Sequence, residues 1–126
     1  MIVDLSPETY FQYLNDEANL HVVLCYGETC GPCKITLPHY EDVAKHFYDY
    51  GITKVRFYKF HQWQPEYKPF IAQHKLDVPG VPTIRAYFYG DVLWEKTAVF
   101  QDPNALKAEI VQVIEGIQKT MEFSLQ

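Results

Sequence analysis

The chain has 126 residues, 48% of them apolar and 16% aromatic, which is enough apolar material for one folded core and too much for a disordered chain. Its formal net charge is -5 at pH 7 with no basic run, which argues against binding to nucleic acid or to an anionic membrane surface. Without an internal repeat, low-complexity tract or linker-like segment, a single domain over residues 1–126 is expected.

Ile2 to Leu5 reads as a short strand, and Met1-Ile2-Val3-Asp4-Leu5 lacks the basic flank and continuous apolar core of a signal peptide, so a cytoplasmic location is expected. No apolar stretch reaches transmembrane length before a charge or a proline breaks it. Ser6-Pro7-Glu8 is a helix start, with Ser6 as N-cap, Pro7 at the first position, and Tyr10, Tyr13 and Leu14 on one face. Val22 to Tyr26 is a continuous apolar run, the mark of a strand buried on both faces.

Ile35, Leu37, Tyr40, Val43, Ala44 and Phe47 then recur at helical spacing until Gly51, a residue suited to the position just past a helix end. Pro38 lies inside that pattern and predicts a kink, since it removes one ladder bond. Val55 to Phe60 is the next strand, His61 to Pro65 a loop, and Glu66 to His74 a weaker helix interrupted at Pro69. Thr83 to Tyr89 and Val92 to Val99 read as antiparallel strands joined by a Gly90-Asp91 turn. Asp102-Pro103 repeats the cap-plus-proline start, and Leu106, Ile110, Val113, Ile114 and Ile117 form an amphipathic stripe. This order of strands and helices implies an α/β fold, a mixed sheet with helices on its faces.

Between the second strand and the following helix stands Cys30-Gly31-Pro32-Cys33. With Pro32 in the first helical turn, where a missing N–H costs nothing, unpaired backbone donors and the positive end of the helix dipole surround the Cys30 sulfur. Such a site favours the thiolate, the species that attacks disulfides, and a thiol three residues on can displace what the first one captured. Three cysteines in all are too few, and oddly numbered, for a disulfide-stapled scaffold, so the pair is catalytic or metal-binding. A zinc half-site is the competing reading; it needs two more ligands from Cys25, His39 or His46, which match no closed four-ligand spacing well. Cys25 itself reads as an inert buried thiol.

Cys30-Gly31-Pro32-Cys33-Lys34 after a buried strand, Pro38 within the next helix, Gly80-Val81-Pro82-Thr83 opening a hairpin and a final amphipathic helix together resemble the thioredoxin family over nearly the whole chain. The resemblance implies a thioredoxin fold, a central mixed sheet of about four to five strands flanked by about four helices. It implies a cis peptide before Pro82, facing the sulfurs, where the backbone beside the proline is open to an extended client. It further implies that Cys30, exposed at the helix tip, attacks a client disulfide and that Cys33, turned inward, resolves the mixed disulfide.

Several residues depart from the family pattern. Leu24 stands six residues ahead of Cys30, where the family usually has a buried aspartate that assists deprotonation of the resolving cysteine. Resolution near neutral pH is therefore expected to be slower, with Glu28 or solvent taking the proton. Thr29 replaces a tryptophan immediately before the first cysteine, Tyr26 stands where a second is common, and Val99 occupies a loop position that is often glycine. Thr29, Val81, Pro82 and Val99 would then shape a client groove unlike that of a general thioredoxin. Lys34 reads equally as support for the thiolate and as a solvated surface charge. Lys59 has no evident carboxylate partner, and Trp63 and Trp94 read as core or groove-edge packing.

The expected function is reduction of protein disulfides without metal or organic cofactor, acting as a monomer on disulfide-containing clients, with a thioredoxin reductase as electron donor. Two alternatives remain: a disulfide oxidase or isomerase, against which Gly31-Pro32 argues, and a docking subunit whose redox chemistry is incidental.

Overall fold

Side chains alternate across a strand, so one that is apolar at every position must be covered on both faces. β2 (Leu20–Tyr26) is such a strand from Val22 onward: Leu20, Val22 and Leu24 enter one core, Val23 and Cys25 the other. In the computed structural model, which describes residues 1–125, β2 lies at the centre of a five-stranded sheet ordered β1-β3-β2-β4-β5. β1 (Ile2–Leu5) pairs parallel with β3 (Val55–His61), and β3 parallel with β2. β4 (Thr83–Phe88) and β5 (Asp91–Thr97) form the antiparallel side. The mixed sheet implied by the order of elements is thus observed.

Helices cover both faces. α2 (Gly31–Asp49) and α4 (Pro103–Thr120) bury Tyr40, Val43, Phe47, Leu106, Ile110, Ile114 and Ile117 against one. α1 (Tyr10–Leu14) and α3 (Lys68–Gln73) bury Tyr10, Leu14 and Ile71 against the other. No helix among the described residues is long and apolar enough to cross a membrane.

α2 continues through Pro38, because Cys33 and Thr36 before it and Tyr40, Val43, Ala44 and Phe47 after it are buried along the same side of the helix. Its end is closed by backbone alone. Gly51 adopts φ 71°, its N–H bonds the Tyr48 carbonyl at 3.0 Å, and the Ile52 N–H reaches back to Phe47 at 3.0 Å. That is the Schellman arrangement, which needs a left-handed residue where Gly51 stands. α4 opens as expected, with Asp102 accepting the Asn104 N–H at 2.9 Å.

Four expectations are corrected. α1 begins at Tyr10, not beside Ser6, because the Ser6 hydroxyl lies 3.2 Å from the Thr9 hydroxyl, which itself accepts the Ser6 N–H at 3.0 Å, so residues 6–9 close a turn of their own; Tyr13 on its expected buried face is exposed. Pro69 does not interrupt a helix but stands in the first turn of α3, which follows a 3₁₀ turn at Pro65–Tyr67. The β4–β5 turn is centred on Tyr89 and Gly90, with φ of 55° and 78°, while Asp91 already pairs with Phe88. Positive φ at both central residues is the type I′ geometry that matches strand twist. β5 also ends at Thr97, leaving Val99 in the loop before α4.

His21, on β2, is fully buried. Its Nε2 is 3.0 Å from the Asp16 carbonyl oxygen, which can only accept, so Nε2 carries the proton and Nδ1 accepts from the Tyr58 hydroxyl at 2.8 Å. Burial holds the imidazole pKa below its usual value, against the opposing contact with the Asp16 backbone. An unfolded chain protonates this ring below about pH 6.5 while the folded protein does not, so stability is lost as pH falls from there toward the folded pKa. Urea midpoints should be lower at pH 5.5 than at pH 7.5, and the difference should shrink in His21→Gln; an equal difference in the variant would contradict this account.

Candidate active site

Gly27 to Thr29 carry the chain from β2 into α2, and Cys30 takes the N-cap position with φ -87° and ψ 111°. An N-cap side chain is placed to accept one of the orphan N–H groups of the first turn. Here the acceptor is sulfur: the Cys33 N–H donates to Cys30 Sγ at 3.1 Å. The Lys34 N–H bonds the Cys30 carbonyl at 3.3 Å, and Pro32 sits in the first turn, where no donor is required.

Cys30 and Cys33 are joined as a disulfide, with Cα atoms 5.2 Å apart. Both residues are only 4% exposed. The helix-tip position suggested an open Cys30; the bond to Cys33 and the Val81 carbonyl, 3.6 Å from Cys30 Sγ, cover it instead. Thr29, Gly31, Pro32 and Lys34 are exposed around the pair.

The wall that brings Val81 to the sulfur is fastened from β4. The Val81–Pro82 peptide is cis. Thr83 Oγ1 donates to the Gly80 carbonyl at 2.5 Å and accepts from Thr97 Oγ1 at 2.6 Å. Arg85, held by Glu95, donates to the Leu76 and Asp77 carbonyls at 3.2 and 2.7 Å, anchoring the segment that leads into Pro82. Val99 is exposed in the loop after β5, and its neighbour Phe100 donates its N–H to Thr36 Oγ1 at 3.1 Å. Thr36 lies fully buried one turn beyond Cys33, so α2 carries the disulfide and also grips the β5–α4 loop. Removing a buried acceptor of this kind costs about 1–3 kcal/mol, because the orphaned N–H cannot reach water.

Leu24 is fully buried among the side chains of the α2 and α4 face and offers no proton acceptor. Its register partner Lys59 does have a carboxylate, contrary to expectation: Asp4, in register on the far side in β1, lies 3.6 Å from the Lys59 ammonium. Tyr26 stacks on His61, ring centroids 5.1 Å apart at 9°. Trp63 lies against Gly27 so closely that a β-carbon there would overlap the indole. Trp94 is half-buried against the α2 and α4 core. Glu28 is exposed in the loop before Cys30.

Thr36, Arg85 and the Gly27–Trp63 contact escaped the sequence reading. A hydroxyl three residues after Cys33 on an otherwise apolar face was a usable signal; the other two depend on pairings distant in sequence. Cys25, on the opposite face of the sheet from Leu24, is fully buried with its thiol pushed up to about 12 by burial. Among the described residues, no three His, Cys, Asp or Glu side chains gather where a metal could be held.

A vicinal dithiol at a helix N-terminus, above a mixed sheet and beside a cis-proline loop, defines a thiol–disulfide oxidoreductase centre. The thioredoxin family model matches residues 1–115. A thioredoxin of Buchnera aphidicola subsp. Baizongia pistaciae (strain Bp) is 33% identical over 96 residues, covering 75% of this chain and 80% of that one. Among solved structures, Chlamydomonas reinhardtii thioredoxin f2 superposes with a TM-score of 0.71 at 26% identity, covering 90% of this chain and 96% of its own. Malassezia sympodialis thioredoxin (Mala s 13) shares the fold, with a TM-score of 0.66 at 24% identity over 89% of this chain and 90% of its own. The chain belongs to the thioredoxin family.

Burial separates the third thiol from this chemistry. After reduction of the disulfide, iodoacetamide at pH 8 should modify Cys30 in the native protein and leave Cys25 unlabelled until denaturant is added. Peptide mapping that finds Cys25 alkylated in the native protein would contradict the assignment.

Proposed function

We propose that the protein reduces disulfides in client proteins, with Cys30 attacking and Cys33 resolving. The observation that carries this reading is the Cys33 N–H held on Cys30 Sγ at the start of a 19-residue helix. A charge-assisted bond of that kind, together with the helix dipole, stabilises thiolate over thiol once the pair is reduced.

In the reaction, the Cys30 thiolate attacks one sulfur of the client disulfide, and the other leaves as a thiolate that takes up a proton. Cys33 then loses its proton and attacks Cys30 Sγ, releasing the second client thiolate. Two electrons pass to the client, and the protein is left with the Cys30–Cys33 disulfide. The family likeness favours a thioredoxin reductase as the donor that restores the dithiol, and a reducing cytosol is the compartment in which a monomeric reductase would work.

The second half of the cycle has the weaker support. Leu24 cannot take the Cys33 proton, and Lys59 is paired with Asp4, so the proton passes to solvent or to a carboxylate brought by the client. Gly31-Pro32 between the cysteines resembles the reducing branch of the family. Equilibration with dithiothreitol or glutathione tests the direction. A potential near about -270 mV is expected, and one near about -120 mV would make the protein an oxidant instead.

A further inference from the structure

The chain holds a tryptophan half in water on the turn that precedes Cys30. Trp63 is 49% exposed, yet one edge of its indole is pressed onto Gly27. The Gly27 carbonyl accepts the Cys30 N–H at 3.3 Å, so the ring rests on the same short turn that delivers the sulfur. Any side chain at position 27 would displace it.

The loop that carries Trp63, between β3 and the 3₁₀ turn, is fastened at several points. The Gln62 N–H bonds the Tyr26 carbonyl at 2.8 Å, and the Gln62 side-chain amide donates to the Leu76 carbonyl at 3.0 Å, on the segment leading to Pro82. The Gln64 N–H bonds the His61 carbonyl at 3.2 Å, and the His61 ring stacks on Tyr26. A large aromatic surface held this firmly loses little conformational entropy when another group packs on it. The residue next to Cys30 on the strand side is the small, exposed Thr29, which adds no bulky side chain to the surface between Cys30 and this loop.

We propose that Trp63 is a specificity-determining residue: the exposed part of its indole receives an apolar side chain of an extended client polypeptide adjacent to the disulfide cysteine under attack. Rigid tryptophans with one free face are the side chains that most often dominate polypeptide recognition. The contact forms on binding, before sulfur exchange, so it acts on client affinity and leaves the chemical step alone. This inference rests on the proposed reduction of client disulfides.

The test uses two disulfide-bonded peptides of equal length, one with leucine and one with serine beside the cysteine, turned over with dithiothreitol as reductant. Wild-type protein should show a KM roughly ten-fold lower for the leucine peptide. Trp63→Ala should lose that preference with kcat changed less than two-fold, and Trp63→Phe should keep most of it. A preference that survives Trp63→Ala, or a fall in kcat with the preference intact, would show that the indole only packs on Gly27 and would overturn the inference alone. Wild-type protein that reduces neither peptide would overturn the reductase reading and the inference together. A second measurement leaves the indole in place: in Cys33→Ser linked to the leucine peptide, tryptophan emission should shift to the blue, and the shift should vanish when Trp63→Phe leaves Trp94 as the only indole. An unchanged emission spectrum would also overturn it.

Discussion

One hydrogen bond organises this molecule, the donation of the Cys33 backbone N–H to the Cys30 sulfur at the first turn of α2. It requires Cys30 to be the last extended residue and Cys33 the third helical one, so it fixes where the strand must end and the helix begin. That junction in turn depends on β2 being the central strand, clamped by β3 on one side and β4 on the other. Pro32 sharpens the start of the helix, and the backbone-only stop at Gly51 leaves the rest of α2 free to be defined by its buried stripe. A charge-assisted bond is worth about 1.5–3 kcal/mol, equivalent to roughly one to two pKa units at the sulfur.

The structure around this bond is a set of loops held by polar anchors. Arg85 and Thr83 fasten the approach to Pro82, Thr36 holds the Phe100 loop, and Gln62 ties the Trp63 loop to both Tyr26 and Leu76. Each anchor is a side chain on a regular element, or beside one, bonded to loop backbone, so the site inherits the rigidity of the sheet. Support for the two thiols is unequal. Cys30 has a donor and a helix terminus, whereas Leu24, six residues ahead of it on β2, is a buried apolar side chain with no acceptor to offer, and its register partner Lys59 is engaged with Asp4. On the proposed reaction, attack by Cys30 is therefore well provided for and resolution by Cys33 is left to groups outside the fold.

Much of this was legible in the residues themselves. The buried strand, the dithiol, the long amphipathic helices and the capped start at Asp102 follow from local pattern, and local pattern decided them. What failed did so where two local signals competed or where the partner was remote. Ser6 has the composition of a cap, yet Thr9 takes its hydroxyl, and Gly90 suggested a turn that the backbone places one residue earlier. The Lys59–Asp4 pair depends on strand order, since β1 and β3 become neighbours only through a crossover. Trp63 on Gly27 has the same origin: its loop reaches the turn before Cys30 because β3 lies beside β2. The departures at Leu24 and Thr29 were visible at once, while the groups that border them were not.

The central claim is that the N-terminal turn of α2 stabilises charge on Cys30, and a direct titration tests it. In Cys33→Ser the backbone N–H remains, and Cys25, with its thiol pushed up to about 12, is silent, so thiolate absorbance at 240 nm between pH 4 and pH 10, taken as the difference from Cys30→Ser/Cys33→Ser so that the absorbance of the ten tyrosines cancels, reports Cys30 alone. The account predicts a midpoint one to two units below the roughly 8.5 of a free cysteine. A midpoint at or above about 8.5 would contradict it.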